Sequence, residues 1–167
     1  MVSVVEVHQA VAEAAVKAPV QAVWALVTDI SLMPRFSTEL QAIEWAEGSD
    51  RLCLGARFIG LNTHRDVGRW TTTSTVTVFD PPSAFAWAVG DPENPAATWR
   101  FDLREVSGGT ALRHTANIGP GPSGVTMLIG REPGRAAEIV ANRLAEVTSA
   151  MTATVAAIAE LAERGGR

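Results

Sequence analysis

Side chains able to do chemistry on a small molecule are few in this chain, and they are scattered. It holds three histidines, His8, His64 and His114, one cysteine, Cys53, and no tyrosine. A metal site needs clustered His, Cys or carboxylate ligands. Only a meeting in space of His64 and His114, with Asp66 near, would supply one, so no metal and no cofactor are expected. As a general acid or base His114 ranks ahead of His64. Leu112 and Ala116 flank it at two-residue spacing, and burial lowers an imidazole's pKa and keeps it neutral. The plainer reading of either residue is a hydrogen-bonded histidine. No Ser-His-Asp arrangement can be read. Cys53, between Leu52 and Leu54, reads as a buried thiol, and Asp29 as a local hydrogen-bonding residue. The run Gly119-Pro120-Gly121-Pro122-Ser123-Gly124 has the form G-x-G-x-x-G. A dinucleotide cradle needs backbone N–H groups that Pro120 and Pro122 lack. The run reads instead as a stiff turn with Ser123 as a possible cap.

The chain has 167 residues, the size of one domain, 1–167. Its formal net charge is −4 with no basic block, which argues against nucleic acid as a partner. A single cysteine excludes an internal disulfide. The segment Met1–Ala15 lacks the basic start and long apolar run of a signal peptide. No window of ~18 uninterrupted apolar residues occurs, so no membrane span is expected. The expectation is a cytoplasmic monomer or homodimer.

The elements that must position these residues follow from periodicity. Residues 3–17 alternate and read as a strand, with a helix as the alternative around Ala12, Ala14 and Ala15. Pro19–Thr28 reads as a short helix with Val20, Val23, Trp24 and Val27 on one face, and Ser31–Glu39, around Pro34, as a second short helix or a tight turn. Six strands follow: Gln41–Ala46, Ala56–His64, Arg69–Phe79, Ser83–Val89, Thr98–Val106 and Thr110–Ile118. The turns between them are short and rich in Gly, Pro and Asp, so neighbours should pair antiparallel. From Pro133 to Arg164 a single helix is expected, ~45 Å long at 1.5 Å per residue. Val140, Leu144, Val147, Met151, Val155, Ile158 and Leu161 recur along it in steps of three and four. A stripe that long needs a partner, and a curved sheet is the simplest one.

Alternation along the strands then sorts their faces. Trp99, Phe101 and Leu103 oppose Arg100, Asp102 and Arg104. Leu112, His114, Ala116 and Ile118 share a face, as do Trp70, Thr72, Ser74, Val76 and Val78. Phe85, Trp87 and Val89 oppose three alanines, and Phe58, Gly60, Asn62 and His64 form the matching set. Ile59 and Leu61 lie opposite. The inner face thus mixes broad aromatics with polar groups, which a plain core avoids and a small-molecule pocket uses. Its ligand-binding candidates are Phe36, Phe58, Asn62, Trp70, Thr72, Ser74, Trp87, Trp99, Phe101 and His114, with Val140 and Leu144 of the long helix as floor alongside Ile139.

Several local runs carry a resemblance. They are Val16-Lys17-Ala18-Pro19-Val20-Gln21-Ala22-Val23-Trp24 with Thr28-Asp29, then Met33-Pro34-Arg35-Phe36, then Gly55-Ala56-Arg57-Phe58 leading to Trp70, and the Gly119–Gly124 turn before the final helix. With this order of elements the chain resembles the START-like (SRPBCC) superfamily, and within it the polyketide cyclase/dehydrase-related proteins. The resemblance implies an α+β helix-grip fold: a seven-stranded curved antiparallel sheet around a long C-terminal helix, with two short helices after the first strand. It also implies a cavity between sheet and helix, its mouth near residues 31–39, with Arg35 or Arg69 near the rim. Three functions stay open. The first is binding of a small hydrophobic, aromatic or lipid-like molecule. The second is a polyketide aromatase/cyclase or dehydratase using His114 or His64. The third is a protein-interaction module with a small or filled cavity.

Overall fold

The computed structural model describes residues 8–166. Seven strands form one antiparallel sheet: β1 (Gln9–Val16), β2 (Leu40–Trp45), β3 (Arg57–His64), β4 (Gly68–Asp80), β5 (Ala84–Asp91), β6 (Asn94–Val106) and β7 (Gly109–Ile118). Their order in space is β1-β7-β6-β5-β4-β3-β2. Consecutive strands from β2 to β7 pair with their neighbours, β2 and β3 across a longer loop and the rest through short turns, and β1 returns to pair with β7. Helix α1 (Val20–Val27) and the single turn α2 (Met33–Phe36), entered by a 3-10 turn at Ile30–Leu32, follow β1. This is the helix-grip α+β fold. Residues 3–7 of the expected first strand lie outside the described residues.

Two of these expectations, a helix boundary and a strand face, need correction. The segment before the last helix is more than a turn. It holds a separate helix, α3 (Gly124–Arg131), followed by a 3-10 turn at Pro133–Arg135 and then α4 (Ala136–Gly165). Ser123 does cap, and what it caps is α3. Its hydroxyl accepts from the Thr126 amide (3.2 Å) while Thr126 Oγ1 accepts from the Ser123 amide (2.7 Å). The Gly-Pro run lies flat along the start of β6, where Gly119 and Gly121 donate to the Ala96 and Pro95 carbonyls at 2.9 and 3.0 Å. A Cβ at either glycine would run into the Pro95 or Asn94 carbonyl oxygen, so close backbone approach explains these two glycines. The second correction is in β4. A register shift between Val76 and Val78 turns the strand over. Val78 leaves the inner face and Phe79 takes its place, against Trp24 and Phe85.

The core lies at one end of the grip. Val147, Met151, Val155, Ile158 and Ala162 of α4 are buried against β1, α1 and the inner sheet residues Phe85, Val76, Leu103 and Leu112. Each of the larger side chains gains ~1.5–3 kcal/mol from burial. Glu163 anchors the end of α4 by accepting from the Lys17 amide at 2.9 Å. By length and composition α4 is apolar enough to cross a membrane, but its apolar stripe is this protein's own core. The preceding portion of α4, residues 136–146, contains no buried side chain. There the helix stands away from the sheet, and a cavity opens beneath it.

Candidate functional site

That cavity has a volume of about 1680 Å³, larger than the ~300–1,000 Å³ of most small-molecule sites. The concave face of β3–β7 forms its wall, α4 and α3 its cover, and residues 36–39 with the β3–β4 turn its rim. An aromatic belt crosses the wall. Phe58 meets Trp87 at 6.2 Å between ring centroids, Trp87 meets Trp99 at 6.4 Å and nearly parallel, and Trp99 meets His114 at 5.7 Å. Strand register produces this belt. Trp87, Trp99 and Ala116 are cross-strand partners, as are Phe85, Phe101 and His114, and the two-residue period points each set inward. The tryptophans wall the cavity without filling it.

His114 is 4% exposed and lies against Phe101, with centroids 3.9 Å apart and planes 7° apart. Its Nδ1 is 3.0 Å from the Arg100 carbonyl oxygen. A carbonyl only accepts, so Nδ1 carries the proton and Nε2 the lone pair. Burial pushes the pKa of the ring down to about 4, against a smaller upward pull from the Arg100 carbonyl. The imidazole is therefore neutral at neutral pH.

His64 has a different setting. Its Nδ1 accepts the Asp66 amide at 3.0 Å, which puts the proton on Nε2, and Nε2 donates to Glu146 at 2.9 Å. Arg143 joins this group. It donates to Glu146 (3.4 Å) and to both oxygens of Glu39, its Nη2 at 2.9 Å. The hydrogen bond that Arg143 donates to Glu39 raises the Arg143 pKa, against desolvation. The cluster ties the rim at residue 39 and the end of β3 to α4. Glu39, His64 and Glu146 stand close enough to share a cation. Their hydrogen bonding suits a metal poorly, because Nδ1 is already an acceptor and Nε2 would have to give up its proton. His64 and His114 do not meet in one cluster; the residues that gather around His64 are Glu39, Arg143 and Glu146.

Phe36, Phe58, Asn62, Trp70, Thr72, Ser74, Trp87, Trp99, Phe101, His114 and Leu144 all line the cavity. Val140 does not. Ile139 and Arg143 occupy that level of the helix, one residue being a ~100° rotation about its axis. Arg35 and Arg69 are exposed and off the lining, where Arg65, Arg135 and Arg143 stand instead. Cys53 is exposed: it lies in the β2–β3 loop, where Leu52 turns toward the core while Cys53 and Leu54 face outward. Sequence reasoning missed Glu39 and Arg143, whose pairing joins positions 104 residues apart. Glu146 lies off the apolar stripe of α4, and no local spacing marks it as a rim residue. Val125 and Leu128 of α3 were missed with their helix.

No curated protein sequence matches the chain. Among solved structures, a polyketide-cyclase-like protein of Corynebacterium glutamicum is 24% identical, with a TM-score of 0.67 over 92% of this chain and 90% of that one. A protein of Mesorhizobium loti is 16% identical, with a TM-score of 0.61 over 93% and 97%. The di-domain ARO/CYC protein of the steffimycin biosynthetic pathway is 15% identical, with a TM-score of 0.73 over 96% of this chain. The match covers 52% of that protein, so this chain spans about half its length. These likenesses share the START-like helix-grip fold. Residues 7–163 match the family described as polyketide cyclase / dehydrase and lipid transport, and the chain belongs to that family.

Proposed function

We propose that this chain, as one domain, binds a small, flat hydrophobic molecule in the cavity between sheet and α4. The observation that carries this reading is the belt Phe58–Trp87–Trp99–His114, which faces a cavity of about 1680 Å³ rather than packing solid. Apolar surface buried there gains ~25 cal/mol per Å², before the cost of association. Trp70, Trp87 and Trp99 are the stacking surfaces, and Asn62, Ser74, Thr72 and His114 the orienting groups. Titration of the intrinsic tryptophan fluorescence with polycyclic aromatics and fatty acids tests it, alongside native mass spectrometry of the purified protein. Saturable quenching by at least one compound, weakened in Trp99→Ala, is the expected result. Absence of binding across the whole panel overturns it. The reading includes a cytoplasmic location, which cell fractionation checks.

A second reading, a cyclase or dehydratase of the kind named in the family description, is favoured by one observation. His114 is a neutral base whose Nε2 lone pair has no partner among the described residues. His64 is the weaker candidate, since both its ring nitrogens are engaged. Turnover of a polyketide-like substrate that His114→Ala abolishes while binding persists would establish this reading over simple binding. The interaction-module alternative required a small or filled cavity, and the cavity's size speaks against it.

A further inference from the structure

At His114 and Asn62 the polar atoms that this cavity leaves free are acceptors, beside the indole N–H donors of its tryptophans. His114 Nδ1 is tied to the Arg100 carbonyl, which leaves Nε2 as an acceptor. Among the described residues Nε2 has no hydrogen-bond partner, and no buried side-chain nitrogen or oxygen is sealed off without one. Nε2 is therefore reachable, and the space that His114 lines is the cavity. Asn62 repeats the pattern. Its amide nitrogen donates to the Gly60 carbonyl (3.3 Å) and to Thr72 Oγ1 (3.2 Å), so Oδ1 is the atom left free. Ser74, 3% exposed and also on the lining, has a hydroxyl without a partner among the described residues, and it can act either way.

The cations near the cavity are already used. Arg143 is held by Glu39 and Glu146, and Arg135 by Glu132 and Glu138. Arg65 is 83% exposed at the outer rim, beside Asp66. A carboxylate entering the aromatic belt would lose its water and meet lone pairs, with no buried cation to receive it. A neutral hydroxyl meets an acceptor whose tautomer is already set. Phe101 and Trp99 hold the ring in place, so little ordering remains to be done on binding.

We propose that His114 Nε2 selects the charge state of the ligand: the cavity takes neutral hydroxyl-bearing molecules, phenols or alcohols, and rejects carboxylates of the same size. This rests on the hydrophobic-binding reading and narrows it. Burial keeps the imidazole neutral well below neutral pH, so the acceptor persists across ordinary conditions.

The experiment is isothermal titration calorimetry of the full chain at pH 7.5 with four probes of one shape: naphthalene, 2-naphthol, 2-methoxynaphthalene and 2-naphthoate. At that pH the naphthol, being a phenol, is undissociated and the naphthoate is ionised. The expected order is naphthol tightest, by roughly fivefold over naphthalene, the worth of one hydrogen bond to an unpartnered acceptor. The methyl ether, which has no O–H, falls to the naphthalene level. The naphthoate is weaker than naphthol by roughly tenfold or more. In His114→Phe the advantage of naphthol over its methyl ether disappears. The methyl ether makes the same cut on the ligand, so the comparison survives if the variant does not fold. Naphthalene binding with naphthol no better than its ether, or naphthoate binding as tightly as naphthol, overturns this proposal and leaves the hydrophobic-binding reading intact. Failure of all four probes to bind overturns both.

Discussion

Acid reads the state of His114 directly. Burial between Phe101 and Trp99 lowers its pKa from 6.5 to about 4. In the unfolded chain the same imidazole titrates at its ordinary value near 6.5. Between these values the unfolded chain takes up a proton that the folded chain refuses. Folding stability therefore falls as pH drops from about 6.5 toward 4, and this contribution levels off below that. The full loss is about 3 kcal/mol, of which about 2 kcal/mol is gone by pH 5. Carboxylates titrate over part of the same range, so the useful quantity is a difference. Urea denaturation of wild type and of His114→Phe at pH 7, 6 and 5 isolates it, because the carboxylates are common to both chains. The variant loses the hydrogen bond to the Arg100 carbonyl at every pH, a constant offset of roughly 1–3 kcal/mol. Against that offset, wild type should lose about 2 kcal/mol relative to the variant between pH 7 and pH 5. Parallel stability curves would refute the reasoning. They would mean that the folded imidazole takes a proton as readily as the unfolded one, and that its surroundings are wet.

Two further outcomes test the grip and its rim. Ile158, 1% exposed in the core, should cost about 2–5 kcal/mol as Ile158→Ala. Leu61→Ala, on the outer face at 41% exposure, should stay within about 0.5 kcal/mol; denaturant midpoints compare the two, and equal effects would mean that inner and outer faces are misassigned. A double-mutant cycle of Glu39→Gln and Arg143→Met should show a coupling of about 1 kcal/mol, since the pair is half-buried and doubly hydrogen-bonded. That coupling should shrink in high salt, and a coupling of zero would remove the rim cluster as a tether of α4.

Much of the architecture and of the cavity wall is determined by local sequence alone. A strand turns its side chains with a period of two, so Trp99-Phe101-Leu103 against Arg100-Asp102-Arg104 declares its inner face without reference to any neighbour. The same period places His114 with Leu112 and Ala116, and burial of all three follows. The run Val147–Met151–Val155–Ile158 marks the core face of α4 in the same way.

Other features were decided by tertiary structure. The shift in β4 that exchanges Val78 for Phe79 is a property of its pairing with β5, and nothing in the strand's own pattern announces it. Val140 continues the apolar spacing of α4, yet the sheet has already curved away at that level. The spacing there no longer says which side is inside. α3 is short, holds Gly124 and Gly130, and has no buried residue, so its periodicity carried little signal. The cluster of Glu39, His64, Arg143 and Glu146 joins a loop, a strand end and a helix. Charged side chains at such spacing look like an ordinary solvated surface in sequence. Only the folding of α4 across the sheet brings them to one rim and makes them partners. Periodicity is a local property, and so the wall was legible. A rim is assembled from segments far apart in the chain, and its pairing exists only once they are packed.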